Sequence, residues 1–88
     1  MIWELRFSRS AQSYLSRIEP ARARRIEERL TRIAMDPRDP SISKPLRHPT
    51  GARSSRLGDL RIVYYPIEER LLVLVERIGP RGEVYRGL

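Results

Sequence analysis

Arg53-Ser54-Ser55-Arg56-Leu57-Gly58-Asp59-Leu60-Arg61-Ile62-Val63-Tyr64-Tyr65-Pro66-Ile67-Glu68-Glu69-Arg70-Leu71-Leu72-Val73-Leu74-Val75-Glu76-Arg77-Ile78 is the stretch that decides the fold. It is rich in Val, Ile, Leu and Tyr, and turn residues divide it into three runs: Arg53 to Leu57, Leu60 to Ile67, and Leu71 to Ile78. Gly58-Asp59 joins the first two runs and Glu68-Glu69 the last two, so consecutive runs form hairpins and pair antiparallel. Along Leu60 to Tyr65, alternation sets Arg61, Val63 and Tyr65 against Leu60, Ile62 and Tyr64. The second set packs inward, which turns Arg61 outward. Gly79-Pro80 ends the third strand, and Val84-Tyr85-Arg86 adds a short strand or tail.

Towards the N-terminus the period changes. From Asp36 to about Ala52 the chain carries Pro37, Pro40, Pro45, Pro49 and Gly51, a density of breakers that predicts a loop, with Leu46 as its apolar anchor. A connection that long inside a compact domain is usually functional or mobile. Before it, Ala23, Ile26, Leu30, Ile33 and Ala34 recur at helical spacing, and Pro20 suits the first turn, where its missing N–H has no partner to lose. Asp36-Pro37 stops this helix. Arg22, Arg25, Arg29 and Arg32 fall on the side away from the apolar stripe, with Glu28 spaced to pair with Arg24 and Arg32. An earlier helix starts at an N-cap Ser8, buries Ala11, Tyr14, Leu15 and Ile18, and ends near Glu19-Pro20. Residues Ile2 to Phe7 alternate, with Trp3, Leu5 and Phe7 on one side, as a half-buried strand does.

The order is thus β-α-α-β-β-β, an α+β fold in one domain over residues 1–88, with two N-terminal helices on one face of an antiparallel sheet. Only the sheet offers enough apolar area to receive both helical stripes, which leaves its other face free.

Composition narrows the function classes. The chain has 88 residues, no cysteine and one histidine, so neither disulfides nor a Cys-based zinc site add stability, and nothing points to an oxidising compartment. The longest apolar run, Leu71 to Val75, is too short to span a bilayer, and the N-terminus lacks the basic start and apolar core of a signal peptide. The expected location is the cytoplasm, with no membrane partner. Net charge is +7, and seventeen of the eighteen basic residues are arginine. Arginine presents a planar fork of donors that matches phosphate oxygens two at a time, which points to a nucleic acid or an acidic protein as partner. A GC-rich genome or a hot habitat would also enrich arginine. No phosphate-cradling glycine motif, nucleophile elbow or close carboxylate pair occurs, and His48 sits alone in the proline-rich loop. No metal or cofactor is expected.

What remains is a set of Arg53, Arg56, Arg61, Arg81 and Tyr85 on the C-terminal strands and tail. When a ribose 2′-OH attacks the adjacent phosphate, charge grows on the phosphorane oxygens, and fixed guanidinium groups stabilise it more than the ground state. A tyrosine among arginines has its anion favoured and can accept the nucleophile's proton. The plainer alternative is that these arginines solubilise a small basic protein and Tyr85 packs at the sheet edge.

Two segments carry a resemblance. Arg56-Leu57-Gly58-Asp59-Leu60-Arg61-Ile62-Val63-Tyr64 resembles the R-x-G-x-Y-R-x-x-Y segment of RelE/ParE toxins, and Ile78-Gly79-Pro80-Arg81-Gly82-Glu83-Val84-Tyr85 is similar to their closing G-x-R-x-x-x-Y motif. Phe7-Ser8-Arg9-Ser10-Ala11 and the stretch from Asp36-Pro37 to Leu46 match as well, so the likeness covers nearly the whole chain. For the RelE branch it implies ribosome-dependent cleavage of mRNA in the A site by a metal-independent endoribonuclease, which halts translation and arrests growth. The implied partners are the ribosome, mRNA and a cognate antitoxin. The implied catalytic residues are Arg61 at the scissile phosphate, Arg81 assisting the transition state or leaving group, and Tyr85 in proton transfer. Arg53, Arg56, Lys44 and Arg47 are the expected RNA-binding residues. The chain departs from the pattern at Ser54 and Ser55, where some active members place lysine, at Leu60 in place of an aromatic, and at Pro80 in place of His or Lys. The ParE branch, which poisons DNA gyrase, and a non-catalytic module that binds only antitoxin or RNA are the alternatives.

Overall fold

The structure is a computed structural model that describes residues 2–80. In chain order it runs β1 (Glu4–Phe7), α1 (Arg9–Arg17), α2 (Pro20–Met35), β2 (Lys44–Pro45), β3 (Arg53–Leu57), β4 (Leu60–Ile67) and β5 (Leu72–Pro80), with a 3-10 turn at Glu68–Arg70 between the last two. The strands form one sheet in the order β1-β5-β4-β3-β2.

Local chemistry sets the element ends. Ser8 caps α1, its Oγ accepting from the Ala11 N–H at 3.1 Å. Pro20 opens α2, and Asp36 ends it. Between Leu57 and Leu60 the two-residue turn needs a positive φ at its first position, which Gly58 supplies at +63°.

The hairpins β3–β4 and β4–β5 are antiparallel, as their turns require. The sheet as a whole is mixed, because β1 pairs parallel with β5, Glu4 opposite Leu72 through Phe7 opposite Val75. No turn signal could reveal this pairing, since β1 and β5 are separated by the helices and the rest of the sheet. The final strand begins at Leu72, one residue later than the alternation suggests, because Leu71 takes left-handed geometry (φ 48°) to close the 3-10 turn.

Helices cover one face. Ile26, Leu30 and Ile33 of α2 and Ala11 of α1 pack with Leu60, Ile62, Tyr64, Val73, Val75 and Ile78 in the main core, with Trp3, Leu5 and Phe7 against it. The opposite face is only partly free, contrary to expectation. It carries its own small cluster, Ala52 and Val63 with Leu46 and Tyr65 packed on them. Leu46 therefore anchors the long loop to this second cluster. Ile42, not singled out in the sequence, is the loop residue that enters the main core. The loop also contributes β2, a two-residue edge strand beside Arg53 and Ser54.

Candidate nucleic-acid interface

Strand register sorts the basic residues onto faces. Arg61 lies directly opposite Arg56 across β4 and β3, and Lys44 lies opposite Ser54 on β2. Val63, the pair of Ser54, belongs to the cluster on the face away from the helices, so Arg61, Arg56 and Lys44 share that face. Arg61 is 9% exposed, and its Nη1 donates to its neighbour's Leu60 carbonyl at 3.2 Å. Arg56 and Lys44 are exposed.

These side chains open onto a concave pocket of about 280 Å³ at the β3 edge, walled by Arg29, Arg56, Arg61, Lys44, Ser54 and the loop from Pro40 to Ser43. Among the described residues, four cations and no carboxylate line it. The ion pairs among the described residues are Arg6–Glu4, Arg22–Glu19 and Arg38–Glu68, and none of these residues reaches the pocket. Like charges directly opposite each other on adjacent strands are unfavourable, so an anion between Arg56 and Arg61 would remove a repulsion the fold otherwise carries.

Arg29 departs from the side away from the apolar stripe, where helical spacing set it. Its Nη1 donates to Ser55 Oγ at 2.8 Å and to the Arg56 carbonyl at 2.7 Å, which ties α2 to β3 and brings a guanidinium to the pocket wall. Burial, and then the charge of Arg32, hold its pKa below the usual guanidinium value. Its place beside Leu30 and three residues after Ile26, on the flank of the buried stripe, is the signal that would have found it. Glu28 makes no ion pair with Arg24 or Arg32; it lines a shallow groove with Arg25, Arg29, Arg32 and Leu57.

Arg53 departs from its expected place beside Arg56. One residue before Ser54 in the alternation, it pairs with Tyr64 on the helix side. There its Nε donates to Ser43 Oγ at 2.9 Å and its Nη2 to the Ser43 carbonyl at 3.2 Å. The Tyr64 hydroxyl lies within hydrogen-bond reach of the Pro37 carbonyl at 2.6 Å and Ser43 Oγ at 2.7 Å, and Ser55 Oγ donates to the Ile42 carbonyl at 2.6 Å. Burial pushes the Tyr64 phenol above its ordinary pKa, with the hydrogen bond to Ser43 acting in the opposite direction. Arg53, Tyr64 and Ser55 thus fix the loop that forms the pocket wall. Arg47 is exposed in the turn after β2 and does not line the pocket.

Arg81 and Tyr85 lie outside the described residues. The strand leading to them ends with Gly79 opposite Arg61 and Pro80 opposite Leu60.

The same fold is found in solved structures of toxins. The toxin–antitoxin complex RelBE2 from Mycobacterium tuberculosis matches at 25% identity and a TM-score of 0.79, over 92% of this chain and 100% of that one. The intact RelBE complex of E. coli matches at 21% identity and a TM-score of 0.79, over 89% and 95% of the two chains. An archaeal RelE–RelB complex from Pyrococcus horikoshii matches at 19% identity and a TM-score of 0.74, over 93% and 98%. No curated protein matches significantly by sequence. Fold and architecture place the protein in the RelE/ParE superfamily of toxins. Residues 5–85 match the family described as ParE toxin of type II toxin-antitoxin system, parDE, and the chain belongs to that family. It is a toxin of a toxin–antitoxin pair. Among the described residues no helix is long and apolar enough to cross a membrane.

Proposed function

We propose that this toxin is a metal-independent endoribonuclease that cleaves mRNA in the ribosomal A site. The observation that carries this reading is the Arg56–Arg61 pair, directly cross-strand in a pocket whose charged lining, among the described residues, is cationic. A pocket built this way suits a pentacoordinate phosphorane, whose charge exceeds that of the diester from which it forms. Arg61 contacts the scissile phosphate, while Arg56 and Lys44 hold the backbone on either side. Arg29 adds its field from the helix side. Arg81 assists the transition state or the leaving group and Tyr85 takes the 2′-OH proton. These two assignments rest on the closing motif and on β5 ending beside the Arg61–Gly79 pair. Guanidinium groups stay protonated and are poor acids, so electrostatic stabilisation dominates and Tyr85 is the group suited to move a proton. Arg47 is an outlying RNA contact and Arg53 a support of the loop. The protein acts in the cytoplasm, where a cognate antitoxin covers the basic face and keeps the toxin silent.

Gyrase poisoning is the second reading, because the matching family carries the ParE description. Induced expression separates the two. Translation arrest with new 5′ ends inside translated codons, mapped by primer extension, is the expected result. Intact transcripts together with cleaved chromosomal DNA would transfer the assignment to gyrase.

A further inference from the structure

Among the described residues, Arg77 has no ion-pair partner. It pairs with Val63, one same-face step from the Arg61–Gly79 pair, so Arg61 and Arg77 are diagonal neighbours on the face away from the helices. Residues so related stand about 7–8 Å apart, somewhat less at Cβ. On the β5 side Arg61 is paired with Gly79, which places no side chain over the gap. Among the described residues, Arg77 Nε is buried without a hydrogen-bond partner, and none of the three ion pairs includes Arg77. A buried donor on a charged group is costly to leave unmet, and the group best able to meet it is an anion with several acceptor oxygens.

We propose that Arg77 contacts the RNA backbone, gripping the phosphate adjacent to the one held by Arg61; this rests on the ribonuclease reading above. Consecutive phosphates of one strand are spaced on the same scale as two diagonal positions of a sheet, and two cations in line along a sheet face set the direction in which the strand crosses it. An acidic protein segment offers no such regular spacing of anions, which favours RNA as the occupant. Arg77 is then a binding residue for the flanking nucleotide, and its loss weakens capture of the message more than the chemical step.

The test is single-turnover cleavage on ribosomes carrying a short mRNA with a vacant A site, with toxin concentration and KCl both varied. Arg77→Gln is expected to raise the half-saturating toxin concentration about tenfold and to lower the salt slope by about one, with little change in the plateau rate. Arg77→Lys should recover most of the loss. Wild-type toxin that leaves the message intact would remove the ribonuclease reading and this inference with it. Active wild type with an unaltered Arg77→Gln variant overturns the inference alone. So does normal cleavage by Arg77→Gln accompanied by weaker binding of the antitoxin, which would assign Arg77 to that interface. Thermal melts accompany each variant, and if Arg77→Gln does not fold, Arg77→Met decides by the same readout.

Discussion

Arg61 and Arg53 are eight residues apart in the chain and have opposite uses. Among the described residues, Arg61 sits in the pocket with a hydrogen bond to the Leu60 carbonyl and no acid in the pocket lining. Arg61→Ala is expected to lower the cleavage rate about 10²-fold or more, the loss typical of removing one preorganised charge-stabilising donor. Its melting behaviour should be little changed. Arg53 instead holds Ser43 from the helix side of the sheet. Arg53→Ala is expected to destabilise the fold by about 1–3 kcal/mol in urea unfolding, because the bonds it makes are charge-assisted and part-buried. An Arg53→Ala variant of full stability that fails only in RNA binding would reverse these roles. Tyr64 gives a pH signature. Its folded pKa lies above the unfolded value of about 10, so the folded state keeps a proton that the unfolded chain releases. Its contribution is complete below the unfolded pKa and is lost as pH rises through the folded one. Stability measured across alkaline pH should therefore fall more steeply in wild type than in Tyr64→Phe, which is itself about 1 kcal/mol less stable at neutral pH for want of the hydroxyl's partners.

Single elements carry their own constraints. The β3–β4 turn holds Arg56 and Arg61 in register, and Gly58 sits there at φ +63°. A Cβ at that position would stand 3.4 Å from Arg25 Nη2, a flexible tip that can move, so backbone geometry sets the penalty. Gly58→Ala should cost about 1–2 kcal/mol, read from thermal or urea unfolding, with cleavage retained in the folded fraction. The loop from Asp36 to Ala52 is legible as a loop from its prolines. Its role as a pocket wall is not, because that depends on Ser43, Ser55 and Tyr64 meeting across more than ten residues of chain.

At the scale of the molecule, the net charge is +7, and among the described residues the three ion pairs lie outside the pocket, whose lining holds no acid. Association with ribosomes should therefore weaken linearly in log–log fashion with salt. The pocket variants Lys44→Ala and Arg56→Ala should each lower that slope by about one, whereas an exposed charge outside the pocket, such as Arg17, should alter it less. Equal effects at both kinds of position would argue for diffuse attraction over a defined site.

Local chemistry alone decided the helices, the hairpins, the proline-broken loop and the outward face of Arg61, because periodicity, caps and turn residues act over only a few residues. The two segments resembling RelE/ParE toxins also stood in the sequence. Tertiary structure decided what depends on distant partners: β1 lying parallel to β5, Arg29 swinging to the pocket, Arg53 turning to the loop, and Arg77 standing beside Arg61. A one-residue step along a strand reverses a side chain's face, and only pairing register between strands far apart in the chain determines what it meets there.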